Sequence, residues 1–216
     1  MKELLKRTMM TRFPRGWMYR SILFGSDSYL SVTGWRETVK RGYPCRADGS
    51  PLPWMNYAVI ALLEERLAKD MKLFEFGSGY STLFYADLAG TVTAVENDRT
   101  WHGRISEKAP PNVNVLHVEA DVDGDYCRSI HLSGEKYDVV IVDGRDRVNC
   151  FGQAMTAIAE DGVVLLDDSF RDRYAEAHDV AREQGFAAMN LRGLKPQGIS
   201  MDQSTLYYRR ANCLRI

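Results

Sequence analysis

The feature that most constrains this chain is an alternation running from residue 72 to residue 209. Short, largely apolar segments at 72–76, 91–96, 113–118, 137–143 and 163–166 are separated by segments of helical composition at 81–88, 101–108, 148–160 and 171–184. A strand that lacks polar–apolar alternation has to be covered on both faces, and the intervening helices are the covering elements. The pattern therefore predicts an α/β chain with a mostly parallel, doubly wound sheet. A helix over 55–69 precedes the first strand, and strands at 186–191 and 204–209 flank a Gly/Pro-containing loop. They bring the expected sheet to seven strands, the last one antiparallel.

The N-terminal quarter reads differently. Residues 1–54 form a basic arm and an irregular lead-in, and residues 55–216 form the α/β domain. Residues 1–50 hold ten basic and four acidic side chains, a net of +6, whereas residues 51–216 hold 18 and 25, a net of −7. The near-neutral total argues against nucleic acid as a bulk partner. No apolar run approaches the ~20 residues of a membrane-spanning helix. In residues 1–24, Lys2, Lys6, Arg7, Arg12, Arg15 and Arg20 interleave with Leu4, Leu5, Met9, Met10, Phe13, Trp17 and Phe24. Such a segment suits an anionic membrane surface or an acidic partner, or else packs its apolar side on its own domain. Arg12, Arg15 and Arg20 also break up the apolar run that a secretory signal needs. Cys45, Cys127, Cys150 and Cys213 are far apart with no C-x-x-C pair, which points to reduced thiols in a cytoplasmic protein and not to a zinc site or disulfide framework.

In a parallel sheet of this kind, ligands bind outside the carboxyl ends of the strands. The predicted ends are acidic: Glu75 in the first strand, Glu96 ending the second, Asp121 after the third, Asp143 ending the fourth, and Asp167 and Asp168 ending the fifth. The first strand leads into Gly77-Ser78-Gly79-Tyr80-Ser81-Thr82, a glycine turn that opens a helix. Bare backbone and free N–H groups there suit close approach of a ligand. A dinucleotide fingerprint wants Gly or Ala where Thr82 stands, and no G-K-[ST] phosphate loop is present. Charge decides further, because a pyrophosphate would be repelled by so many carboxylates and a ligand carrying sulfonium and ammonium groups would be attracted. Glu96, about 20 residues past the first glycine, suits a bidentate hold on ribose hydroxyls.

Glu75-x-Gly77-x-Gly79, Glu96, Glu119-Ala120-Asp121 and the strand Tyr137–Val142 continuing to Asp143-Gly144 resemble four ordered motifs of class I S-adenosylmethionine-dependent methyltransferases. Ser31-Val32-Thr33-Gly34-Trp35 and Pro51-Leu52-Pro53-Trp54 are loosely similar to the lead-in of bacterial FkbM-like methyltransferases. The resemblance implies a Rossmann-like fold and S-adenosylmethionine as cofactor. It implies that Gly77, Ser78 and Gly79, with the adjoining Tyr80 and Ser81, line the methionine end of the cofactor near Glu75. By the same resemblance Glu96 and the neighbouring Asn97 hold the ribose, Asp121 contacts the adenine amino group, and Asp143 faces the methionine amino group and the transferring methyl.

Methyl transfer needs a nucleophile held ~3–3.5 Å from the methyl carbon and, for an alcohol, a group that removes its proton. Asp143 and Asp146 are the candidate bases. Arg145 and Arg147 are candidates to bind an anionic acceptor, with Asp168 beside them; the alternative is that these charges cap the next helix and pair with one another. Asp143 and Asp168 also stand where catechol-type methyltransferases carry metal ligands, but Ser169 replaces the Asn of that motif, and a divalent metal is not expected. The leading expectation is an O-methyltransferase acting on a small molecule or glycan hydroxyl. The alternatives are an aminopropyltransferase of the same fold and a non-catalytic cofactor-binding module that works through a partner.

Overall fold

The computed structural model describes residue 11 and residues 14–216. Strands β1 (Lys72–Phe76), β2 (Thr91–Glu96), β3 (Val113–His117), β4 (Tyr137–Val142), β5 (Ile158–Leu166), β6 (Ala187–Gly193) and β7 (Asp202–Tyr208) form one sheet in the order β3-β2-β1-β4-β5-β7-β6. The first five are parallel, and β7 enters antiparallel between β5 and β6. The architecture is α/β and Rossmann-like, with chain reversal in the sheet between β1 and β4. β5 begins five residues earlier than its apolar core suggests, because Ile158 already pairs with Tyr137 ahead of a register shift that brings Val163 opposite Val139.

Side-chain alternation divides the apolar residues between two cores. Phe74, Phe76, Val140, Val142, Val164 and Leu166 face one layer with Phe151 and Tyr207. Leu73, Val139, Ile141, Val163 and Leu165 face the other with Val59, Leu63, Phe84 and Tyr85. Successive side chains of a strand point to opposite faces, so a continuous apolar run is what two covered faces require.

Nine α-helices and two short 3₁₀ helices are found among the described residues. In the N-terminal part they are α1 (Pro14–Phe24), α2 (Tyr29–Val32), α3 (Trp35–Arg41) and α4 (Tyr57–Arg66). The sheet is flanked by α5 (Tyr80–Leu88), α6 (Arg99–Lys108), the short α7 (Asp125–Arg128), α8 (Arg147–Ala157) and α9 (Ala175–Glu183). The lead-in is thus less irregular than its Gly, Ser and Pro content suggests, since it contains α2 and α3. It is also pinned to the sheet. The Trp35 indole donates to the Gly198 carbonyl at 2.7 Å, the Tyr57 N–H to Leu194, and Asn56 Nδ2 to the Leu191 carbonyl and Ser204 Oγ, both at 3.1 Å. Asn56 caps α4 at the same time, accepting from the Val59 N–H. Leu52 and Met55 complete the core beneath it. Of the arm, residues 1–10, 12 and 13 lie outside the described residues; α1 buries none of its side chains. No helix of the described residues is long and apolar enough to cross a membrane.

Candidate functional site

The glycine turn is assembled by three polar side chains. Glu75, next to the C-terminal end of β1, is fully enclosed and accepts hydrogen bonds from the Ser81 hydroxyl and, at 2.6 Å, from Thr82 Oγ1. Thr82 Oγ1 in turn accepts from the Gly79 N–H at 2.9 Å, which shapes the start of α5. The departure from the dinucleotide pattern at this position therefore has a structural job: a third Gly or Ala could not tie strand to helix. Burial pushes the Glu75 carboxyl up to about 8, against the lowering effect of Ser81 and Thr82 and with a small further rise from Glu96.

Gly77 and Gly144 are required by backbone crossing as much as by any ligand. Gly77 has φ +98°, and a Cβ on it would lie 3.2 Å from the Gly144 Cα. A Cβ on Gly144 would lie 2.2 Å from Tyr126 Oη and 2.8 Å from the Gly77 nitrogen. Gly79, in contrast, is extended, and a Cβ on it would make only ordinary contacts, 3.7 Å from Ser81 Oγ and 3.9 Å from the Trp101 indole.

Glu96 is buried at the end of β2 and gathers the loops around it. One oxygen accepts from the Asn97 and Asp98 N–H groups at 2.8 Å each, and the other from the Ser78 N–H and hydroxyl at 3.1 Å each. Those four bonds use a carboxylate's full acceptor capacity. Asp98 caps α6 through the Trp101 N–H, and the Trp101 indole returns to the Ser78 carbonyl at 2.8 Å.

A chain of alternating charges lies behind Asp143. Arg147, in the first turn of α8, donates to Asp143 Oδ1 at 2.6 Å, to the Asp167 carbonyl at 2.7 Å and to Asp168 at 3.4 Å. Lys195 reaches Asp167 at 2.9 Å, Asp168 at 2.8 Å and Asp202 at 3.5 Å. Burial and the nearby Asp167 raise the Asp143 carboxyl well above its ordinary value, with Arg147 and Lys195 opposing. For Asp168 burial works upward, but the hydrogen bond and charge of Lys195, with Arg147 and Arg171, hold it below the usual carboxylate value. The donor set here does not suit a divalent metal, because a guanidinium stands between Asp143 and Asp168 and an ammonium covers Asp167 and Asp168. Among the described residues no group of three or more His, Cys, Asp or Glu side chains is arranged to hold one.

The structure gathers Glu75, Gly77, Ser78, Ser81, Glu96, Asn97, Asp143, Arg145 and Arg147 around one polar depression of about 300 Å³. Gly79 and Tyr80 line a neighbouring cavity of about 360 Å³ that shares Ser78, Ser81 and Asp143 with it. Asp121, Asp146 and Asp168 line neither. Asp121 caps α7, accepting from the Asp125 and Tyr126 N–H groups, and the Tyr126 and Asp125 bonds lower its carboxyl. Asp146 accepts from the Asp123 N–H at 2.9 Å and from Asn149 at 3.0 Å, tying the β3–α7 loop to α8. Arg147 is held within the charge chain, whereas no hydrogen bond or ion pair engages the Arg145 guanidinium among the described residues. The histidines lie apart, as in His178, whose ring bridges Tyr207 and the Ser169 carbonyl.

The sequence does not mark Lys195, nor Arg41 and Tyr43, which also line the neighbouring cavity. Lys195 stands in the Gly/Pro-containing loop more than 25 residues from Asp167 and Asp168, and no local pattern marks it. The signal for the other two was weaker still, although the nearby Pro51-Leu52-Pro53-Trp54 had flagged the lead-in.

No protein-family model matches the sequence, and no curated protein matches it. Solved structures do match. The O-methyltransferase TomG of tomaymycin synthesis from Streptomyces achromogenes, in complex with SAM, is 19% identical with a TM-score of 0.54, covering 88% of this chain and 93% of that one. The precorrin-6y C5,15-methyltransferase of Geobacter metallireducens is 15% identical with a TM-score of 0.51, covering 70% and 87%. Spermidine synthase from Thermotoga maritima is 14% identical with a TM-score of 0.52, covering 71% of this chain and 58% of that one. The chain thus has the Rossmann-like fold of class I methyltransferases, a fold that the spermidine synthase shares.

Proposed function

We propose that this chain is an S-adenosylmethionine-dependent methyltransferase acting on a hydroxyl of a small molecule or glycan. The observation that carries the reading is the convergence of Glu75, Glu96 and Asp143 on one polar depression beside the glycine turn. Three carboxylates there complement a ligand bearing ammonium and sulfonium charge. Two features of the depression support that cofactor. Gly77 and Gly144 leave backbone bare, and of the four donors on Glu96 only the Ser78 hydroxyl can rotate away to admit a ribose hydroxyl.

When bound, the cofactor supplies an electrophilic methyl on a sulfonium, and the departing thioether needs no proton. The chain's own residues then have two tasks. Glu75, neutral when enclosed alone, would release its proton on meeting the cofactor's ammonium group. Asp143, held by Arg147 yet 23% exposed in its side chain, is the group placed to accept the acceptor's hydroxyl proton, and Asp146 is committed to its loop. Arg145 remains available to an anionic acceptor at the rim.

Calorimetry with S-adenosylhomocysteine tests the proposal, and absence of binding at millimolar ligand would refute it. The spermidine synthase likeness favours aminopropyl transfer as a second reading. Arg41 at the mouth of the neighbouring cavity opposes a polyamine, so decarboxylated cofactor with putrescine should give no product. Cofactor binding with no methyl transfer to any cell fraction would instead favour a binding module. The FkbM-like lead-in supports a hydroxyl acceptor, including a glycan. The four free thiols, three of them buried, support a cytoplasmic location, and exposed Met18, Ile22, Leu23 and Phe24 beside Arg15 and Arg20 suit contact of the arm with an anionic membrane surface or acidic partner.

A further inference from the structure

The cavity of about 360 Å³ lies between the lead-in and the start of α5, next to the polar depression. Tyr43, Trp54, Tyr80 and Trp101 line it. Tyr43 and Tyr80 are stacked, with ring centroids 4.6 Å apart and planes at 14°. Trp101 stands edge-on to Tyr80 at 6.1 Å and is fixed by its bond to the Ser78 carbonyl. Trp54 is about half exposed. Tyr43, Tyr80 and Trp101 brace one another, so the cavity has a preformed aromatic wall. Its size is at the small end for ligand sites, enough for a single ring with substituents.

The mouth is basic. Arg41 Nε donates to Glu37 at 2.6 Å, and Glu37 is the only carboxylate paired with it among the described residues. Gly49, at φ +93°, lies bare against the guanidinium, since a Cβ there would be 2.9 Å from Cζ and Nη1. The fork is thus oriented through Nε, while Nη1 and Nη2 face no carboxylate. Lys108 adds a second cation, 5.6 Å from the Tyr80 ring centroid. A guanidinium fork pairs with carboxylate or phosphate in bidentate fashion.

We propose that this cavity is the acceptor site, and that the acceptor is a flat-ringed hydroxy compound bearing an anionic group. Its ring lies against the aromatic wall, its carboxylate or phosphate meets Arg41, and its hydroxyl points to Asp143, where cavity and depression join. The inference rests on the methyltransferase reading and adds the acceptor's chemistry to it.

The test is tryptophan fluorescence of the full-length protein, titrated with 3,4-dihydroxybenzoate, its methyl ester, phenyl phosphate and glucose 6-phosphate, each with and without saturating S-adenosylhomocysteine. The acid should quench and bind about tenfold or more tightly than the neutral ester, a charge-assisted pair being lost in the ester. Phenyl phosphate binding in place of the acid would identify the anion as phosphate. Arg41→Gln should abolish the preference for the anion, Arg41→Lys should keep part of it, and Trp54→Phe should remove much of the quench. Equal affinity for acid and ester, or for glucose 6-phosphate and the ring compounds, would overturn the proposal. So would displacement by S-adenosylhomocysteine, which would give the cavity to the cofactor. S-adenosylhomocysteine binding without any ring compound would overturn this inference alone, whereas failure of S-adenosylhomocysteine to bind would overturn the methyltransferase reading.

Discussion

Replacing Glu75 by Gln tests the physical core of the site, because it removes an ionisable proton and little else. The carboxyl lies enclosed in β1 with Ser81 and Thr82 as partners, and burial raises it from 4.5 to about 8. The folded state therefore keeps a proton that the unfolded chain releases between these values. Stability from this group is fully present below pH 4.5, declines as pH rises, and is lost once pH passes about 8. At 1.36 kcal/mol per unit, the complete loss is about 5 kcal/mol, and about 3 kcal/mol of it has occurred by pH 7. The amide of Gln has the same shape, and the two hydroxyls can rotate to meet it.

Urea denaturation of both proteins from pH 4.5 to 8.5 isolates the effect, since every other titrating group is common to the pair. The stability of Glu75→Gln relative to the parent should rise across that range by about 4 kcal/mol, most of the full effect. S-adenosylhomocysteine should meanwhile bind the parent more tightly as pH rises towards 8, with proton release visible as buffer-dependent calorimetric enthalpy. The variant should bind more weakly and release no such proton. A stability difference constant with pH would refute the burial argument, and equal proton release by both proteins would refute the placement of Glu75 beside the ammonium group.

Other perturbations follow from the same geometry. Glu96→Ala should weaken S-adenosylhomocysteine binding by about 1–3 kcal/mol, and an unchanged affinity in calorimetry would remove Glu96 from the ribose site. Lys195→Met should destabilise by about 3–5 kcal/mol in thermal or chemical melts, because Asp167 and Asp168 lose their principal buried cation; Lys195→Arg should recover part of this. Gly144→Ala should cost about 1–3 kcal/mol, and adding Tyr126→Phe should restore only the share due to the hydroxyl, since the Gly77 nitrogen still obstructs. A chelator should leave both the melting temperature and S-adenosylhomocysteine affinity unchanged, given that cations of the chain already cover Asp143, Asp167 and Asp168; a chelator effect reversed by Mg²⁺ would contradict that account.

Several of these residues were legible before any coordinates. Strand ends are marked where an apolar run stops at an acid, so Glu96 and Asp143 could be named from position alone. Gly77 could be named because bare backbone in the turn between strand and helix lets a ligand approach closely. Asp121 and Asp146 carry the same mark, yet their carboxylates turn to helix starts and loop N–H groups. Which way a side chain turns at a strand end depends on the donors that fold beside it, and those come from elsewhere in the chain.

The sequence by itself determined the seven-stranded α/β plan, the glycine turn and the acidic edge, because periodicity, turn chemistry and strand termini are local properties. Tertiary structure alone decided that β7 lies between β5 and β6 and that Trp35 and Asn56 lock the lead-in to this hairpin. It also decided that Lys195 neutralises acids far away in the chain, and that Arg41 and Tyr43 meet Tyr80 and Trp101 around one cavity. These are juxtapositions of segments remote in sequence. They arise from how apolar faces and buried charges are jointly satisfied, and no single stretch of residues encodes them.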